Sequence, residues 1–184
     1  MIYPIVVYGS PVLRLKSKDI NADYNGLQQL IADLFETMYK ADGMGLAAPQ
    51  IGKSIRIFVI DATSLQEEDP SLKDFKKAFI NPQILELDGE TVVMNEGCLS
   101  FPKLREDVNR YNKVRISYYD ENWQFYDETY EGLRARVIQH EYDHLDGVLF
   151  IDRIPAIRKK MLKGKLKDIS KCKVDVSYKI KMLK

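Results

Sequence analysis

From Asn25 to Gly43 the chain reads NGLQQLIADLFETMYKADG, and its apolar residues Leu27, Leu30, Ile31, Leu34, Phe35 and Met38 fall on one stripe. That spacing predicts an amphipathic helix with one buried face, and Gly43 is its expected stop signal. The pattern then changes period. SIRIFVID (54–61) is nearly all apolar and predicts a buried strand. QILELDGETVVMNEG (83–97) predicts a hairpin turning at Asp88-Gly89, and KVRISYYDENWQFYDETY (113–130) a second one turning near Asp120 to Asn122. Between these strands, the polar TSLQEEDPSLKD (63–74), broken by Pro70, predicts a surface loop.

A second helix is expected from about Leu133 through His144. After Pro155 comes a third amphipathic segment, with Ile157, Met161, Leu162, Leu166 and Ile169 as its apolar set. In the tail CKVDVSYKI, alternation puts Val174, Val176, Tyr178 and Ile180 on one face and predicts a last strand. The order predicts an α+β fold: antiparallel or mixed β-sheets packed around a central helix, with an N-terminal helix and a C-terminal basic helix and strand. A length of 184 residues fits one domain, 1–184, with a core over 5–155 and an extension over 156–184.

Composition narrows the class. Hydrophobic residues at 45% and charged residues at 30% describe a globular protein with enough chain for a real core. No apolar run reaches the length of a membrane span, and the N-terminus lacks the pattern of a signal peptide. Two well-separated cysteines, Cys98 and Cys172, fit a reducing cytoplasm, and a cytoplasmic monomer is the expectation. The net charge of +1 hides an asymmetry. Residues 158–184 hold eleven Lys/Arg against Asp168 and Asp175, which leaves 17 basic and 25 acidic residues on the other 157. Such a tail reads either as a docking surface for a polyanion or as a solvated helix face.

The chemistry starts at QHEYDHLDGVLF (139–150), which holds both histidines of the chain. His140 and His144 stand four apart, so on a helix they can grip one ion from the same face. Glu141 then projects beside that ion, where a general base for water is needed. The third ligand is Cys98 of NEGCLSFP (95–102), a thiolate suited to a borderline or soft divalent ion, set beside Gly97 where backbone can approach closely. Cys172, in phase with Val174 and Val176, reads instead as a buried, inert thiol. A Cys, His, His set leaves a fourth position for water, which points to metal-assisted hydrolysis. Val137 and Leu133 share the ligand face, so an apolar patch adjoins the metal.

GMGLAAPQ (43–50), EGCLS (96–100) and QHEYDH (139–144) together resemble the three signature motifs of the peptide deformylases, in the same order. YGSPVLR (8–14) and HLDGVLFIDR (144–153) extend the likeness to about residues 5–155. The resemblance implies removal of the formyl group from formyl-methionine at the start of nascent peptides, with release of formate. It implies Cys98, His140 and His144 as metal ligands and Glu141 as general base and proton donor. The Leu99 N–H and the Gln50 side chain become the oxyanion donors. One divalent ion per chain is implied, physiologically Fe2+, with Zn2+, Ni2+ or Co2+ able to substitute.

Gly43 and Gly45 would let a substrate backbone lie close as an added strand, and Met44, Met94, Glu96, Leu133 and Val137 would line the methionine pocket. Arg136 stands where the family often has an aliphatic residue, and its guanidinium is expected within reach of the pocket rim. The basic extension suggests contact with the ribosome. Two rival readings remain: a zinc endopeptidase of the HExxH type, and a metal-binding or ribosome-associated relative without catalysis. The first predicts cleavage of internal peptide bonds. The second predicts loss of Glu141 or Gln50, and both are present.

Overall fold

The computed structural model describes residues 1–184. A five-stranded antiparallel sheet runs in the order β2 (Gly45–Ala47), β3 (Ile57–Asp61), β4 (Lys76–Gly97), β5 (Arg105–Tyr119), β6 (Phe125–Glu131). One helix packs on each face: α1 (Leu27–Lys40) on one and α2 (Gly132–Leu145) on the other. Strand β3 shows why its sequence is almost wholly apolar. Ile57 and Val59 join Leu30, Ile31, Leu34 and Met38 of α1, while Phe58 and Ile60 join Ala135, Val137 and Ile138 of α2. A strand covered on both faces has no polar side to show.

A second, two-stranded parallel sheet pairs β1 (Ile5–Val6) with β7 (Ile180–Lys181), so the C-terminal segment returns to the start of the chain. Beside it lies a third apolar cluster. There Val6, Val7 and Leu13 meet Phe101, Leu104, Leu149 and Phe150, together with Leu162, Leu166 and Ile169 of the extension. No helix is long and apolar enough to cross a membrane.

Several expectations are corrected. The Asp88-Gly89 pair does not reverse the chain. Strand β4 continues through it to Gly97, and Gly89, at φ +78°, sits in a register shift between Asp88 and Thr91. A left-handed glycine absorbs one extra residue as a bulge just as readily as it makes a turn. The reversal comes later, over residues 98–104, and that loop carries Cys98. Helix α1 stops at Lys40. Its left-handed terminal residue is Asp42 (φ +57°), while the Gly43 N–H closes the end on the Met38 carbonyl.

The single amphipathic segment after Pro155 is two short helices, α3 (Ala156–Met161) and α4 (Lys163–Ile169). The break leaves Ile157 and Met161 exposed while Leu162, Leu166 and Ile169 are buried. In the tail only Ile180 and Lys181 form a strand. Residues 172–178 keep the alternation, half-buried at even numbers and mostly exposed at odd ones, without a hydrogen-bonded ladder. Cys172 is only half-buried, at φ +52°, and is not the buried thiol expected.

Candidate metal centre

Strand β4 ends at Gly97 and delivers Cys98 to the mouth of a cavity of about 380 Å³; α2 crosses its floor. The Sγ of Cys98 lies 3.3 Å from Nε2 of His144, and one ligand atom each from Cys98, His140 and His144 fall within 4.8 Å of one another. The two imidazoles, four residues apart on α2, have centroids 5.3 Å apart. A thiol and two imidazole nitrogens converging on one point are the donor set of a single borderline divalent ion. They fit one.

One of the two histidines is oriented from behind. His140 Nδ1 is 2.9 Å from Glu96 Oε2, which turns its Nε2 toward the cluster. Glu96 is in turn gripped by Arg110, at 2.7 and 3.0 Å, and by Arg136 at 2.8 Å. Arg110 also bonds Asp143 at 2.7 Å, and Arg153 holds Asp143 from the other side. Glu96, Arg110, Arg136 and Asp143 are buried, so these charges are paired where pairing is needed.

The network sets the protonation states. Burial works against a charged Glu96, but the bonds from His140 and Arg110 outweigh it and hold the carboxyl well below its usual range. Burial likewise disfavours a charged His140, yet Cys98 and Glu96 raise it to about 10. The site thus favours one positive charge between thiol and carboxylate, which a metal ion held there would supply in place of the proton. His144 is pushed the other way, by burial and then by His140 and Arg110, and stays neutral, the form that binds metal.

Glu141 is buried against the cavity, and its Oε2 has no hydrogen-bond partner in the protein. Burial lifts its carboxyl to about 7, against the opposing pull of His140 and Arg110. Its place depends on Gly45. A Cβ there would stand 2.7 Å from the Glu141 carboxyl carbon. The missing side chain at Gly45 therefore makes room for Glu141, a use the sequence did not suggest. Gly43 is bare for a similar reason, since a Cβ would lie 2.8 Å from Leu99 Cδ1.

Gln50, wholly buried, accepts the Ala47 N–H at Oε1 (2.8 Å), so its Nε2 faces Ser100 Oγ at 3.2 Å and Cys98 Sγ at 3.5 Å. The Leu99 N–H makes no hydrogen bond within the protein. Met44, Met94, Leu133 and Val137 line the cavity, as do Gly97, Glu96 and Arg136. Arg136 does not extend to the rim, however. Its guanidinium is spent on Glu96 and on the carbonyls of Val108 (2.9 Å) and Val92, tying α2 to β4 and β5. Sequence reasoning missed Ser100, Arg110, Asp143 and Tyr178. Ser100 and Asp143 had a local signal, as the last residue of EGCLS and the aspartate of QHEYDH.

Comparison with known proteins agrees with this geometry. The family model described as polypeptide deformylase matches residues 2–160. A peptide deformylase of Christiangramia forsetii is 50% identical over 188 residues, covering 98% of this chain and 96% of that protein. The Salinibacter ruber peptide deformylase is 41% identical over 97% of this chain and 93% of its own. Among solved structures, the Legionella pneumophila peptide deformylase superposes with a TM-score of 0.82 at 36% identity, covering 94% of this chain and 98% of that one. For the Thermotoga maritima enzyme the values are 0.76, 44%, 84% and 99%. With Cys98 brought to His140 and His144 of α2, and with relatives matched along nearly the whole of their length, the chain belongs to the peptide deformylase family of hydrolases.

Proposed function

We propose that the chain hydrolyses the formyl amide of N-formylmethionyl nascent peptides with Glu141, Gln50 and the Leu99 N–H as its reacting groups. The observation that carries this reading is the unpartnered Glu141 Oε2 beside three converging ligand atoms, with the Gln50 amide nitrogen aimed at the thiol. Cys98, His140 and His144 would hold the ion, which when bound supplies Lewis-acid polarisation of water and of the formyl oxygen. Glu141 takes the proton of the attacking water at its free carboxylate oxygen. As the formyl carbon becomes tetrahedral, Gln50 Nε2 and the Leu99 N–H donate to the oxygen that gains charge, an effect of about 3–4 kcal/mol per donor. Glu141 then gives its proton to the leaving nitrogen, freeing formate and a peptide amine.

The substrate backbone would lie along Gly43 and Met44 as an added strand, with Gly97 on the opposite lip and the methionine side chain among Met44, Met94, Leu133 and Val137. Glu96 and Arg136 support that pocket from behind. Gly45 would serve the strand and Glu141 together. We take the monomer as the active unit, in the reducing cytoplasm that two well-separated cysteines fit. Fe2+ is the expected ion, with Zn2+, Ni2+ or Co2+ able to replace it on the same soft and borderline donors.

The test is a paired assay on protein purified without oxygen and reconstituted with Fe2+. Wild type should release formate from a formyl-Met tripeptide and leave unformylated peptides intact, while Glu141→Ala should release almost none. Absence of formate at full metal occupancy would sink the assignment. The exposed lysines of α4 suit a second role, docking on ribosomal RNA. Lys163→Glu, Lys165→Glu and Lys167→Glu together should abolish co-sedimentation with ribosomes; undiminished co-sedimentation would reject that role.

A further inference from the structure

The loop that carries Cys98 is held by three consecutive carbonyls, each bonded to a different part of the chain. The Cys98 carbonyl accepts from the Phe101 N–H at 2.8 Å, and the Ser100 carbonyl accepts from the Tyr8 N–H at 3.0 Å. Between them, the Leu99 carbonyl accepts from the Tyr178 hydroxyl at 2.9 Å. Of the three donors only Tyr178 is a side chain, and it arrives from 79 residues away.

The bond has a directional consequence. In a trans peptide the C=O and N–H point opposite ways. With the Cys98 carbonyl turned back onto Phe101, the Leu99 N–H points away from that turn and has no acceptor in the protein. That N–H lies in the Cys98–Leu99 peptide plane, and Tyr178 grips the next plane, which only the Leu99 φ and ψ torsions join to it. The Leu99 side chain also closes against Gly43, so this residue links the two lips of the cleft.

Tyr178 is itself well placed. The Ile5 N–H bonds the Lys179 carbonyl (2.8 Å) and the Val7 N–H the Lys181 carbonyl (3.0 Å), fixing the chain on the C-terminal side of the tyrosine. Like Leu99, it packs against the edge of the α1 core, and it lines the cavity. Burial, and then the neighbouring Cys98, push its phenol up to about 12, so it remains a donor.

We infer that Tyr178 is a positioning residue for the reaction, holding the Leu99 peptide so that its N–H meets the developing oxyanion. The inference rests on the reading of Leu99 as an oxyanion donor. It makes the C-terminal segment, beyond the residues matched by the family model, part of the catalytic apparatus.

The test is Tyr178→Phe, which deletes one oxygen and keeps the ring. Loss of one neutral hydrogen bond that orients a transition-state donor should lower kcat about 3- to 10-fold. KM, melting temperature and bound metal should stay at wild-type values. In zinc-loaded protein labelled with 15N-leucine, the Leu99 amide resonance should move and its hydrogen exchange quicken. Tyr178→Leu, which also removes packing, should add a fall in melting temperature. An unchanged kcat in Tyr178→Phe overturns the inference, as does an unchanged Leu99 amide or a loss that only tracks metal or stability. Wild-type formate release separates the two readings. If wild type is active and Tyr178→Phe matches it, only the role of Tyr178 fails; if wild type is inactive, both fail.

Discussion

Gly45 and Glu141 share one volume: the place where a Cβ at residue 45 would lie is 2.7 Å from the Glu141 carboxyl carbon and 2.8 Å from its Cγ. The β2 backbone is thus the wall that seats the Glu141 carboxylate. Gly45→Ala should push the carboxylate off its position. A misplacement near 1 Å can cost about 100-fold, so kcat/KM should fall by roughly 10- to 100-fold with metal retained. Kinetics beside metal analysis checks this, and a fully active Gly45→Ala enzyme would show that Glu141 has somewhere else to go.

Glu96 should matter to metal affinity before it matters to substrate. It fixes His140 through Nδ1 and neutralises Arg110 and Arg136. Glu96→Gln keeps the shape and removes the charge, and metal affinity should drop by about 10- to 100-fold. Leaving two buried guanidinium groups with a weakened partner should also destabilise the fold, by up to about 3–5 kcal/mol. Competition with a chelator measures the first effect and urea unfolding the second.

Acid should weaken the junction between the first turn of the chain and α3. Asp152 bonds Arg14, Lys159 (2.7 Å) and the Leu149 N–H (3.0 Å). Burial opposes its charge, but Arg14 and Lys159 outweigh burial and hold the carboxyl at about 2. A carboxyl depressed in the folded state stabilises above its unfolded pKa and loses that contribution as pH falls through the folded value. The contribution should therefore be complete at pH 7 and fade between about pH 4 and pH 2. Because Arg14 and Lys159 are both more than a third exposed, about 1 kcal/mol is the expected size. Asp152→Asn should cost that much at pH 7 and much less near pH 2.5 in denaturant titrations; a cost independent of pH would rule out the charge as its source.

The extension should prove part of the core. Leu166 is buried among Phe101, Leu104 and Phe150, whereas Ile157 is 65% exposed. Leu166→Ala should destabilise by about 2–4 kcal/mol and Ile157→Ala by less than about 0.5 kcal/mol. Urea unfolding decides between this and a loosely attached tail, for which both changes would be silent. Truncation at Ala156 would remove that core contribution as well, so ribosome contact is better tested by reversing surface charge.

Local periodicity and motif spacing settled a good deal about this protein from sequence alone. The apolar stripe of α1 and the all-apolar β3 were legible because burial imposes a period of 3.6 on a helix and none on a strand covered twice. The ligands Cys98, His140 and His144 were legible because metal chemistry admits few residue types, and four residues on a helix is one turn. Tertiary structure decided the rest. Whether Asp88-Gly89 turned or bulged depended on β5 continuing alongside β4, and whether Arg136 reached the rim or turned inward depended on Glu96 and two carbonyls brought in by other strands. The same holds for Tyr178, whose hydroxyl meets Leu99 only because β7 pairs with β1. Such contacts join residues tens of positions apart, and a local pattern carries no record of the partner that a side chain meets only after the chain has closed on itself.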